Sequence, residues 1–78
     1  MRNVAEISHP DCKISIFAWN QKYLIKLEQS DLEQTYKVSE FDVMGEEFLK
    51  KMITEDFIQT ALKRFDEMRQ DLGKAING

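Results

Sequence analysis

Histidine, aspartate and cysteine stand within four residues in His9-Pro10-Asp11-Cys12, the densest set of potential metal ligands and nucleophiles in the chain. A structural zinc site needs about four ligands and a catalytic one about three plus water. This segment already holds the one His and the one Cys of the chain. A Cys–His nucleophile would need the two side chains held at hydrogen-bonding distance in a cleft, which the spacing does not ensure. The segment therefore reads as a proline-containing turn leading into a strand, with metal binding across a dimer interface as the chemical alternative.

Carboxylates are more numerous. Glu46, Glu47, Glu55, Asp56, Asp66, Glu67 and Asp71 fall in the C-terminal half, where adjacent acids on an amphipathic helix form a solvated face and mark no acid/base pair. The chain has no Gly-rich phosphate loop, Gly-x-Ser-x-Gly turn, paired-Cys zinc spacing or helical His-Glu-x-x-His. A non-enzymatic protein is expected, with no cofactor, metal or small-molecule substrate inferred.

Composition narrows the class further. The 78 residues hold 11 Lys+Arg against 14 Asp+Glu, a formal charge of -3, which argues against a general duplex-binding protein. One cysteine cannot form an intrachain disulfide. A single domain over residues 1–78 therefore lies near the ~70–80 residue size below which a core supplies only about 3–5 kcal/mol without staples or partners. No apolar run approaches the ~18 residues of a membrane span, and Met1-Arg2-Asn3-Val4-Ala5-Glu6 lacks the apolar stretch of a signal peptide. The expectation is a soluble, cytoplasmic protein that does not engage a membrane.

The elements that position these side chains follow from periodicity. Cys12 to Ser39 favours strands, in the runs 13–19, 22–28 and 35–38. A two-residue turn at Asn20-Gln21 opposes Ala18 to Tyr23, Ile16 to Ile25 and Ile14 to Leu27, an entirely apolar face. The other face opposes Trp19 to Lys22, Phe17 to Leu24, Ser15 to Lys26 and Lys13 to Glu28. A slip of one residue would mix the two sets. Asn20 accepts positive φ readily, whereas Gln21 is not the Gly that a type I′ turn prefers, so a longer loop stays open. For the third strand, a tight turn at Ser30-Asp31 sets Ile25 against Tyr36, and a four-residue loop sets it against Val38. Asn3 to Ser8 can add a short edge strand ended by His9-Pro10.

From about Gly45 the period becomes helical. Phe57, Ile58, Ala61, Leu62, Phe65, Met68 and Leu72 recur at three- and four-residue spacing. Thr54 is placed as N-cap, Ile53 and Ile58 as a hydrophobic staple, and Gly73 as the stop. A shorter helix before it carries Phe48, Leu49, Met52 and Ile53, with Glu46–Lys50 and Glu47–Lys51 as supporting pairs. The fold class is α+β. A three- to four-stranded antiparallel meander over about residues 3–43 has one face packed by helices at about 45–53 and 54–72. Ile14, Ile16, Ile25, Leu27, Tyr36, Phe57, Leu62 and Phe65 are the expected core.

The second face of the sheet is left without a covering element, and it is the one constellation that points to function. It carries Phe17, Trp19 and Leu24, with Lys13, Lys22, Lys26 and Lys37 set against Glu28 and Glu33. Four lysines against two glutamates give this face +2 and leave -5 on a chain of total -3. Contiguous apolar side chains on an open face mark a surface hidden by a partner. The expected role is self-association or protein interaction, as a homodimer or with a protein partner, centred on Phe17, Trp19 and Leu24 with Lys22 and Lys26. Single-stranded nucleic-acid binding by the same aromatics and lysines is the alternative.

Overall fold

A computed structural model describes residues 1–78. Four eight-residue strands, β1 (Arg2–His9), β2 (Cys12–Trp19), β3 (Lys22–Gln29) and β4 (Leu32–Ser39), form one antiparallel sheet in the order β1-β2-β3-β4. A short 3₁₀ turn at Glu40–Asp42 follows, then α1 (Glu46–Met52) and α2 (Glu55–Asn77). The fold is α+β, with both helices after the sheet.

Each strand is joined to the next by two residues, Pro10-Asp11, Asn20-Gln21 and Ser30-Asp31. At the second turn both Asn20 (φ 53°) and Gln21 (φ 63°) lie in the left-handed region, as a type I′ turn requires when its twist must match that of the strands. Gln21 therefore adopts the positive φ that makes Gly the usual choice here. At the third turn only the first centre residue, Ser30 (φ 58°), is left-handed, the pattern of a type II′ turn. That tight turn selects Ile25↔Tyr36 from the two open registers. The β2–β3 pairing matches the expected register at every position from Lys13↔Glu28 to Trp19↔Lys22. β1 is a full eight-residue strand, longer than the 3–8 expected, with a bulge between Asn3 and Ala5 that shifts its register on β2.

On the helical side, Thr54 caps α2 by accepting a hydrogen bond from the Phe57 N–H at 3.2 Å. This satisfies one of the four N–H groups that a helix start leaves unpaired. The break between α1 and α2 at Ile53-Thr54 therefore stands. Two expectations are corrected. Gly73 does not stop α2, which runs on to Asn77; Gly73 takes no positive φ, and the residues after it include the helix formers Lys74 and Ala75. Glu46 pairs not with Lys50 but with Arg2 at 2.6 Å, tying α1 to β1, while Glu47 pairs with Lys50 at 3.3 Å in place of Lys51.

The core lies between the inner face of the sheet and the helices. Ile14, Ile16, Ile25 and Leu27 meet Leu49, Ile53, Ile58, Ala61 and Phe65, with Cys12 at the margin. Tyr36, Phe57 and Leu62, expected in that core, are only half-buried against it. The helix phase explains the difference. Ile58, Ala61 and Phe65 share the line that meets the sheet, which turns Leu62 to the flank. Ala61 is fully buried, and its carbonyl accepts from Gln34 Nε2 of β4 at 2.8 Å.

Candidate functional site

The cross-strand registers arrange the outer face of the sheet as four rows. From the Asn20-Gln21 end these are Trp19, Lys22 and Ser39; then Asn3, Phe17, Leu24 and Lys37; then Glu6, Ser15, Lys26 and Thr35; and finally Ser8, Lys13, Glu28 and Glu33. No helix packs on this side. The hypothesised interface residues Phe17, Trp19, Leu24, Lys22 and Lys26 all fall on it, as the β2–β3 register requires.

The structure divides them, however. Phe17 and Leu24 face each other across β2 and β3 and are both half-buried. They line a shallow depression of about 250 Å³ with Met1, Lys26, Glu33 and Thr35. Trp19 stands outside it, paired with Lys22 and 55% exposed. Met1 and Thr35 are not among the residues read from the sequence, where β4 keeps two open registers and the edge strand is expected to start only at Asn3. Ser15 is buried although it lies on the open face. Its row neighbours are Glu6 and Lys26, whose stems can lie over a small residue while their charges stay in water.

Charge on this face is less positive than the +2 counted without β1. The full-length β1 adds Glu6, so four lysines stand against three glutamates. Glu28 lies directly opposite Glu33, a like-charge pair that is unfavourable by itself. Lys26 offsets it, with Nζ at 3.2 Å from Glu33 and 3.8 Å from Glu28. The hydrogen bond that Lys26 donates to Glu33, followed by the field of both carboxylates, holds its ammonium above the ordinary pKa. What remains is polarised. The rows nearest the Asn20-Gln21 turn carry Lys22 and Lys37 without an acid, and the far rows carry Glu6, Glu28 and Glu33.

The His9-Pro10-Asp11-Cys12 segment forms the β1–β2 turn, and its groups have internal partners. The Asp11 N–H donates to His9 Nδ1 at 3.1 Å, so the neutral ring carries its proton on Nε2, which lies 3.2 Å from Glu55 Oε2. Both ring nitrogens are thereby engaged. Cys12 is buried; burial first, then the nearby Asp11 and Glu55 charges, push its thiol pKa up, which lowers the thiolate fraction that nucleophilic chemistry needs. Glu55 moves the other way, its carboxyl held below the usual range by hydrogen bonds from Gln59 and His9. Gln29 Nε2 donates to the Asp11 carbonyl at 2.9 Å and its Oε1 accepts from Arg69 at 2.6 Å. The segment thus works as a clasp between the β1–β2 turn and α2.

Two features therefore remain open to a partner, the outer face and the apolar side chains around it. Phe41, Met44 and Trp19 are well exposed, and the Glu40 N–H bonded to the Gln21 carbonyl at 3.1 Å holds the 3₁₀ turn at the same end of the sheet as Trp19. No helix is long and apolar enough to cross a membrane. Comparison of the chain with protein-family models, curated proteins and solved structures finds no match.

Proposed function

We propose that the protein is a non-enzymatic self-association module in which the outer sheet face packs on the same face of a second copy. The observation that carries this reading is the polarity of the four rows. A two-fold axis lying in the interface and running across the strands reverses the row order while keeping each strand over its counterpart, as an isologous contact demands. Lys22 then lies over Glu28 of the second copy, and Phe17 lies over Ser15, a large side chain above a small one. Each contact occurs twice.

Shape and size support the same reading. The accessible surface is 5500 Å², against about 4,900 Å² for a compact monomer of 9.2 kDa. The radius of gyration is 13.9 Å, against about 11.5 Å for this length. The molecule therefore presents more surface than a chain of its size needs to. Strand spacing and rise give the outer face a projected area of about 500 Å², below the ~800 Å² per partner of a standard interface. The contact is accordingly expected to be reversible.

Light scattering coupled to sizing, read over a concentration series, tests it. Phe17→Lys should weaken association by more than tenfold, since it places a charge where an apolar side chain is desolvated. The far-ultraviolet spectrum should stay unchanged. Trp19, the single tryptophan, should shift its emission to shorter wavelength as the copies meet. A wild type that stays monomeric at millimolar concentration defeats the proposal. Trp19 quenching by a single-stranded oligonucleotide, abolished by Lys22→Ala, would favour nucleic-acid binding in its place.

A further inference from the structure

The two edges of the sheet are finished differently. β1 carries the bulge between Asn3 and Ala5, a common device for spoiling an edge, whereas β4 pairs without a register shift from Leu32 to Ser39. The two-residue turn makes Gln29 and Leu32 a hydrogen-bonded pair. By the antiparallel alternation, Leu32, Gln34, Tyr36 and Val38 then bond to β3, while Glu33, Thr35 and Lys37 aim their N–H and C=O groups outward. No hydrogen bond outside the ladder reaches the backbone of β4.

We infer that this edge pairs with β4 of a second copy, antiparallel about a two-fold axis through Thr35, joining two sheets into one of eight strands. Side-chain chemistry selects that centre. Pairing about Thr35 sets Glu33 against Lys37 of the second copy and Lys37 against its Glu33, on either side of a Thr35–Thr35 pair. On the helix side it sets Leu32 against Val38. Moving the centre to Tyr36 would oppose Glu33 to Ser39 and Lys37 to Thr35, losing both ion pairs. Lys37 makes no ion pair within its own chain, and both Glu33 and Lys37 are exposed, so the pairing uses a lysine the monomer leaves unpaired and a glutamate that it shares with Lys26 of its own chain.

This inference goes beyond the face-to-face reading and can fail separately from it. The edge axis is normal to the sheet and the face axis lies parallel to it. The face axis exchanges the Phe17 and Ser15 rows and so lies level with Tyr36, one residue from the edge axis at Thr35, so with both surfaces active the two axes do not meet and copies add to an open assembly. In the scattering experiment the wild type should then grow beyond two copies as concentration rises, while Phe17→Lys stops at two, Lys37→Glu at two, and the double variant at one. With the face contact absent, the corresponding masses are two, two, one and one, and the edge stands alone.

Charge exchange identifies the register. Lys37→Glu and Glu33→Lys should each weaken edge pairing at least tenfold, because each faces like charges across the axis. An equimolar mixture of the two should restore it, since every position then meets its opposite. Circular dichroism checks that both variants fold. A mass unchanged by Lys37→Glu overturns the inference, and so does a mixture of the two variants that stays dissociated.

Discussion

The inner and outer faces of this sheet are made by alternate residues of the same strands, yet they solve opposite problems. Ile16 is fully buried beneath the helices, while Phe17, the next residue, is half-buried at the floor of an open depression. Below the sheet, apolar area is removed from water by α1 and α2. Above it, the strands' own lysine and glutamate stems provide what cover there is. The comparison teaches that for large apolar side chains burial here follows from which face the helices cover, while a small residue such as Ser15 is buried by its neighbours on the open face.

The largest expected effect tests that contrast directly. Ile16→Ala should cost about 2–5 kcal/mol through lost transfer energy and the cavity left behind. Phe17→Ala, although it removes a larger side chain, should cost about 1–2 kcal/mol because part of its surface is already in water and no helix covers it. Denaturant midpoints at unchanged slope measure both. Equal losses at the two positions would show that the outer face is packed more tightly than its exposure indicates.

Next in size is the cap that starts the main covering helix. Thr54→Ala should lose about 1 kcal/mol as the Phe57 N–H loses its acceptor, and native-state hydrogen exchange should locate the loss in the first turn of α2. If protection falls over the sheet as strongly as over the helix, the two layers unfold together.

Gln21→Gly changes the turn that sets both faces at once. Removing the Cβ at φ 63° relieves left-handed strain of about 1–2 kcal/mol, offset in part by the extra freedom glycine gives the unfolded chain. The net gain should be several tenths of a kcal/mol up to about 1. A loss of stability would mean that the Gln21 side chain makes a contact worth more than the strain.

The smallest effect concerns acid. The carboxyl of Glu55 sits lower in the folded chain than its usual 4.5. Its contribution is therefore present above the unfolded pKa and disappears as pH falls through the folded one. Glu55→Gln should make the fall in melting temperature below about pH 4.5 shallower. An acid limb as steep as that of the wild type would remove Glu55 from the clasp.

Alternation alone made much of this architecture legible. In the β2–β3 hairpin, a one-residue slip would take Ile25 and Leu27 off the side that holds Ile14 and Ile16, and those four residues are the buried sheet half of the core. The Thr54 cap was legible for a similar reason, since capping depends on residues within one turn of each other. Legibility ended where two local options had similar energies. Ser30-Asp31 allowed a tight turn or a longer loop, and Gly73 fits a helix stop as well as a tolerated helical position.

Sequence by itself determined the strands, their faces, the two-helix break and the presence of an uncovered face, because each rests on contacts between near neighbours. Tertiary structure decided the rest. The placement of β1 brought Glu6 onto the outer face and reduced its positive charge. The phase of α2 put Ala61 against the sheet and Leu62 at its flank, and packing drew Glu46 to Arg2, 44 residues away. Those outcomes depend on where whole elements come to rest, a choice made by the summed burial of many side chains and carried by no single spacing in the chain.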